Sequence, residues 1–418
     1  MTTPTLRACL VATLPLACAC SRAPLATALA SATGPELQRG LATADSLLRA
    51  SIGQLTAGAV LVVAKDGHVV KETAYGYAQL NDYEGRRLAT PLPMHTSTVF
   101  DLASVTKVMA GTYATMLLVD QGRVDLDAPV HRYLPEFRGV HHDSIRVRHL
   151  LTHSAGLVQW QPLYYSAANA REAYDVIRRM PLEWGVGEGR HYSDLSFMLI
   201  GYLVERVSGQ PLDVFLDAQL YRPLGLRVTG FTPRRRGLAD FAATEQGNVY
   251  ERHMVYDSTF GYRYRGDPRS WNGWRQYVLE GEVDDGNSFY AHGGVAGHAG
   301  LFSTASELRV LLHVLLGGGV YEGRRYVRAE TVKEFLTLDR YENYLGWIRP
   351  RNLPDGSFAH TGFTGTYVLG VPSERLSIVL LTNRQNLGPN ARGNFTNIAP
   401  LQEAVALAIV RGSESDKR

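Results

Sequence analysis

A change of hydrophobic period constrains this chain most: strand patterns stand at both ends, and helical patterns lie between them. Near the N-terminus, Ala59 to Ala64 is an unbroken apolar run. Asp66-Gly67 is a tight turn, and His68 to Ala78 can return as a second strand. Leu37 to Ile52 precedes them with a helical stripe of Leu37, Leu41, Leu47 and Leu48. Near the other end, Tyr344 to Arg349 and Ser357 to His360 are short strand candidates. Gly365 to Val371 and Leu376 to Asn383 are clearer strands, joined by Pro372 to Arg375. Asn397 to Val410 closes the chain as a helix. The simplest closure is α+β: one antiparallel sheet built from both chain ends and covered by the terminal helices. A mostly helical region, about 100–315, lies alongside. With 418 residues and no internal repeat, residues 31–418 read as a single domain.

Within the helical region, a helix from about Ser104 to Val119 ends at Gly122. Tyr164 to Arg179 and Pro211 to Leu220 read as further helices. Ser193 caps a strongly periodic run through Leu195, Met198, Leu199, Tyr202 and Leu203, and Ser303 or Thr304 caps another. Between Thr229 and His298 the helix period thins, as expected of a long excursion that walls a pocket or covers the surface.

The three cysteines, Cys9, Cys18 and Cys20, all lie near the N-terminus. A disulfide scaffold, a cysteine nucleophile and a thiolate zinc site are therefore excluded from the folded body. Residues 1–30 read as a targeting segment: Arg7 precedes an apolar run from Ala8 to Ala19, and Ala28 to Ala30 fits a cleavage site. Leu16 to Cys18 and Cys18 to Cys20 also loosely resemble a lipoprotein processing site, which would leave a lipid anchor. The body is expected outside the cytoplasm: periplasmic, secreted or lipid-anchored at the envelope. A net charge of +3 is too small to argue for nucleic acid, and Arg234 to Arg236 read as solvated surface.

Phe100 to Gly111 carries the chemistry. Ser104 and Lys107 are three apart and share a helix face. Ser104 falls in the first turn, where unpaired N–H groups and the positive helix end favour an oxyanion. Lys107 is placed to hold or remove the hydroxyl proton. His153 reads as a side chain that holds its loop by hydrogen bonds rather than as a base. His292 and His298 lack a metal-binding spacing, and the glycine run around them lacks the lysine of a phosphate loop. No metal or cofactor is expected.

Ser104-x-x-Lys107, Tyr192-Ser193-Asp194 and His360-Thr361-Gly362 come in an order that resembles the penicillin-recognising serine hydrolases. That group includes class C β-lactamases, DD-peptidases and related esterases. Leu150 to Leu157, Pro223 to Leu226, Gly293 to Thr304 and the hairpin after Thr361 extend the likeness over nearly all the chain after about Gln38. Gly293 to Thr304 and Ala243 to Glu245 look most like the branch holding penicillin-binding protein of the 4B type.

The resemblance implies that Ser104 is acylated, that Lys107 helps activate it, and that Tyr192 shuttles protons. It implies an oxyanion hole from the backbone N–H groups of Ser104 and Phe363, the latter on the strand continuing from Gly362. It gives Asp194, His360, Thr361 and Gly362 to substrate binding. Two departures stand out. Asp194 replaces the usual asparagine: it can accept from Lys107 and raise its proton affinity, but as a carboxylate cannot donate to a substrate carbonyl. His360 replaces the usual lysine, so a fixed charge for a substrate carboxylate is missing. The substrate is a small molecule or a peptidoglycan peptide. A DD-peptidase-like or esterase-like hydrolase is preferred, with a β-lactamase and a non-catalytic peptidoglycan-peptide-binding protein as alternatives. The oligomeric state is open.

Overall fold

The computed structural model describes residues 33–139 and 141–417, besides Met1. The targeting segment and all three cysteines lie outside the described residues, apart from Met1. The centre is a six-stranded antiparallel sheet: β1 (Gly58–Lys65), β2 (His68–Asn81), β3 (Arg87–Pro93), β4 (Phe358–Thr361), β5 (Tyr367–Val371) and β6 (Leu376–Thr382). The strand order is β3-β2-β1-β6-β5-β4, so the two chain ends meet where β1 pairs with β6, Val60 opposite Leu381 and Val62 opposite Val379.

The unbroken apolar run of β1 follows from burial on both faces. Ala59, Leu61 and Val63 pack under the terminal helices α1 (Pro35–Ser51) and, at the far end, Ala399–Ser415, among Leu37, Leu48, Val405 and Ile409. Val60 and Val62 face the opposite core, with Val368, Val379, Leu308 and Leu311. The N-terminal end of α1 is capped from the other end of the chain: the Asp416 carboxylate accepts from the backbone N–H groups of Glu36 (3.0 Å) and Leu37 (2.9 Å).

The helical region adds α2 (Tyr113–Asp120), α3 (Asp194–Ser208), α4 (Val249–Tyr256) and α5 (Ala305–Leu316); Ala399–Ser415 is α6. Ser193 caps α3 by accepting from Ser196 N–H, and Thr304 caps α5 by accepting from Glu307 N–H. A short strand at Phe100–Asp101 pairs with Leu301–Ser303, which also pairs with Gly230–Phe231. This pairing docks the glycine-rich stretch against the Ser104 helix. Gly297 sits where that stretch meets α3, so close that a Cβ there would collide with the Phe197 carbonyl. The glycines thus serve close backbone approach rather than phosphate binding.

Two expectations need correction. Tyr344 to Arg349 is not a strand; it makes one isolated bridge, Ile348 to Ala359, and Gly346 turns the backbone away with φ of +80°. The edge strand β3 was not expected, because Pro91 and Pro93 mask a strand pattern and its residues are mostly exposed. Among the described residues no helix is long and apolar enough to cross a membrane.

Candidate active site

The site begins at a bent backbone. Ala103 has φ of +44°, in the left-handed region that side chains disfavour, and its N–H donates to the buried Asp101 carboxylate (2.8 Å). Ser104 follows, and the chain then enters helix. The turns from Lys107 to Thr112 are widened before α2 takes up regular winding.

Lys107 is fully buried. Its ammonium donates to Ser104 Oγ (2.9 Å) and to the His298 carbonyl (3.3 Å), and it pairs with Asp194 Oδ1 at 2.7 Å. Three donors meet three acceptors. Burial pulls the Lys107 pKa down, but the Asp194 carboxylate and Tyr192 outweigh it, and the net shift is upward. Lys107 is therefore a cation at neutral pH. Asp194 is delivered by the first turn of α3, behind the Ser193 cap.

Tyr192 is flanked by two cations: Lys107 Nζ lies 4.9 Å and the Arg190 guanidinium 5.9 Å from its ring centroid. His153 stacks against the ring at 4.4 Å. It accepts from Ser193 N–H through Nδ1 (3.0 Å), and burial holds its pKa well below the usual histidine range. It braces the loop carrying Tyr192, as its sequence context suggested.

On the far side, β4 brings His360 and Thr361. His360 is buried; its Nδ1 bonds the Thr361 carbonyl (2.8 Å), and its Nε2 has no partner among the described residues. Burial first, and then Lys107 and Arg190, push its pKa down to about 3, so the ring is neutral. Thr361 is exposed. Gly362 and Phe363 lie in the turn after β4, a correction to the expectation that Phe363 continues the strand. That turn is clamped to the Ser104 elbow. Thr364 Oγ1 donates to the Asp101 carbonyl (2.8 Å) and Thr366 Oγ1 to the Leu102 carbonyl (2.9 Å). A Cβ at Gly362 would collide with the Leu102 carbonyl. Arg384 fixes the Phe363 carbonyl from behind (2.8 and 3.0 Å). Among the described residues the backbone N–H groups of Ser104 and Phe363 donate to no protein acceptor. Two such donors beside one serine can receive an oxyanion.

A cavity of about 460 Å³ opens from Ser104, Tyr192, Asp194 and Phe363. Its walls include Trp160, Glu245, Tyr250, Glu251, Tyr262, Asp284, Asp285 and His298. Most of these belong to the stretch where the helix period thins, which does wall the pocket. His298 Nε2 bonds Asp285 Oδ1 at 2.9 Å. Burial raises the Asp285 pKa, but His298 outweighs it and the group falls to about 2. Burial, reinforced by Asp284, pushes Asp101 up to about 7.

The expected residues thus converge: Ser104, Lys107, Tyr192 and Asp194 in direct contact or stacking range, with His360, Thr361, Gly362 and Phe363 across the cleft. Sequence reasoning missed Asp101, Arg190 and the acidic wall. The only signal for the acidic wall is the density of acids and aromatics between Thr229 and His298; Asp101 and Arg190 carry none. His292 bonds Tyr202 OH through Nε2 (2.7 Å) and the Asn287 carbonyl through Nδ1 (2.7 Å). Both its ring nitrogens are therefore engaged in holding the fold.

A Beta-lactamase family model matches residues 44–403. The N-acetylmuramyl-L-alanine amidase of Bacillus subtilis (strain 168) is 34% identical over 371 residues, 82% of this chain and 80% of that protein. An Escherichia coli (strain K12) protein named for D-alanyl-D-alanine carboxypeptidase activity is 34% identical over 354 residues, 78% of this chain and 77% of its own length. The crystal structure of a penicillin-binding protein homolog from Caulobacter crescentus superposes with a TM-score of 0.65 at 19% identity, covering 91% of this chain and 98% of that one. With a family model spanning most of the sequence and a serine–lysine centre on the same fold, the chain belongs to the beta-lactamase family of serine hydrolases.

Proposed function

We propose that Ser104 is the nucleophile of an acyl-enzyme mechanism that opens an amide or ester of a cell-envelope peptide. The observation that carries this reading is the Lys107 ammonium, bonded at once to Ser104 Oγ and Asp194 with the Tyr192 ring beside it. Because Lys107 is held charged, it is a poor base. The proton of Ser104 goes instead to Tyr192, acting as general base with its ring beside the Lys107 and Arg190 cations. Ser104 Oγ then bonds the carbonyl carbon, and the oxyanion is received by the N–H groups of Ser104 and Phe363. The carbon–nitrogen or carbon–oxygen bond breaks as Tyr192 returns the proton to the leaving group. In the second half, Tyr192 takes a proton from water, the hydroxide bonds the acyl carbon, and the bond to Ser104 Oγ breaks as Tyr192 gives that proton to the serine oxygen. Asp194 keeps Lys107 charged, and Thr361 and Gly362 form the edge along which substrate lies.

The relatives named for muramyl-L-alanine amidase and D-alanyl-D-alanine carboxypeptidase activity support an envelope substrate and an envelope location. A body from about residue 31, exported by the segment before it, fits that location. The neutral His360 offers no charge to a β-lactam carboxylate, which favours a peptidase, amidase or esterase over a dedicated β-lactamase. The test is a panel on the purified body: short-chain p-nitrophenyl esters, a D-Ala-D-Ala peptide, a muramoyl-L-alanine amide and nitrocefin, each against Ser104→Ala. Turnover of an ester or amide that Ser104→Ala abolishes is the expected result. No turnover and no adduct would instead favour a peptide-binding protein.

A further inference from the structure

The cavity beside Ser104 holds more carboxyl groups than acyl transfer uses. Besides Asp194, its walls hold Glu245, Glu251, Asp284 and Asp285. Lys107 pairs with Asp194, and His298 with Asp285. Among the described residues the other three carboxyls form no salt bridge, although Arg275 and Arg384 lie near enough to act on Asp284. Tyr164 OH and Gly286 N–H donate to Glu251, Tyr250 N–H donates to Glu245, and Gln385 Nε2 donates to Asp284 Oδ2. The nearby buried cation, Arg275, donates to Asn248 Oδ1 and to the backbone carbonyls of Val283 and Asp284. It reaches none of the three carboxylates by hydrogen bond.

Among the described residues, two wall side chains hold polar atoms without a partner. Asp284 is only 6% exposed and its Oδ1 accepts nothing; His298 is 1% exposed and its Nδ1 is unpaired. An orphaned buried acceptor among carboxyls that no basic side chain pairs calls for a donor, and a cationic donor can displace the protons those carboxyls hold. The aromatic faces of Trp160, Tyr250 and Tyr262 line the same space, and such faces attract cations. Among the described residues no three His, Cys, Asp or Glu side chains converge as metal ligands.

We propose that this cavity is a subsite for a protonated primary amine on the acyl half of the substrate. The assignment to the acyl half rests on the reading of Ser104 as the acylated residue, since the acyl group stays joined to Ser104 beside the cavity while the leaving group departs. An ammonium brings three N–H donors and one charge, which matches Asp284 Oδ1 and the flanking Glu245 and Glu251. Burial raises the pKa of Glu245, Glu251 and Asp284, so these carboxyls compete for protons until a cation joins them.

The experiment has two arms. In the first, ω-aminoacyl p-nitroanilides of increasing chain length are compared with their N-acetylated forms. The free amine of the best length is expected to be favoured at least tenfold in kcat/KM, and Asp284→Asn and Glu245→Gln are each expected to shrink that ratio. The ratio is read within one preparation, so a smaller folded fraction does not distort it. Equal turnover at every length, or a ratio that both variants leave intact, overturns the proposal. The second arm needs no catalysis. Calorimetry on Ser104→Ala is expected to show pentylammonium binding at least tenfold tighter than pentanol. Equal affinity, or binding of neither, overturns the amine subsite. Failure of the hydrolase reading would appear separately, as absence of turnover and of any Ser104 adduct.

Discussion

At the scale of single residues, charge near Lys107 decides the chemistry. Asp194 raises the lysine pKa, so the ammonium persists well above neutral pH and is lost only as pH rises through that raised value. Asp194→Asn removes the largest opposing charge. With that charge gone, burial pulls the Lys107 pKa down, so an alkaline fall in kcat/KM on a neutral anilide, absent from wild type between about pH 6 and 10.5, is expected to enter that range; a variant as flat as wild type would show that charged Lys107 is not required. His360 faces the opposite constraint, since it is buried beside Lys107 and Arg190. His360→Lys adds a third cation there. Kinetics on a neutral ester and a carboxylate-bearing β-lactam should shift in ratio toward the β-lactam by about tenfold, the worth of one charge-assisted hydrogen bond. Equal losses on both substrates would count against the idea. Ser104, Lys107, Tyr192, Asp194 and His360 were legible because motif spacing survives in sequence. Asp101 and Arg190 were not, because they stand within three residues of Ser104 and Tyr192 without forming a motif; Asp284 was not, because only folding brings it to the cavity.

At the scale of elements, the site depends on how the turn after β4 presses on the Ser104 elbow. Thr364 and Thr366 bind the carbonyls of Asp101 and Leu102, and Gly362 leaves no room for a Cβ. Gly362→Ala should push Phe363 N–H away from Ser104 and slow acylation about a hundredfold, the usual cost of a 1 Å misplacement. Single-turnover acylation by a fluorophosphonate measures this, and a rate within threefold of wild type would argue against the clamp. β1, β2, β5, β6 and the terminal helices were legible from period because each buries a regular face. β3 was hidden by its prolines. α4 was hidden because its eight residues sit in a stretch whose aromatic and charged composition serves a cavity wall rather than an amphipathic stripe.

At the scale of the whole molecule, the sheet exists only when both chain ends are present. β1 pairs with β6, α1 packs on α6, and Asp416 caps α1 across nearly the full length of the chain. The prediction that one antiparallel sheet forms from both ends follows from period alone. The capping contact does not, since no local pattern links Asp416 to Glu36. Asp416→Ala should lower stability by about 1 kcal/mol, the ordinary worth of a helix cap, with kcat unchanged. Urea denaturation beside steady-state kinetics checks both parts. A stability change near zero would mean that water replaces the cap.

The central claim is that Ser104 forms the covalent acyl-enzyme. Intact mass after treatment with a fluorophosphonate, followed by peptide mapping, tests it most directly. One adduct per chain is expected, on the peptide carrying Ser104, and absent from Ser104→Ala. An adduct on any other residue, or labelling that survives Ser104→Ala, would contradict the account.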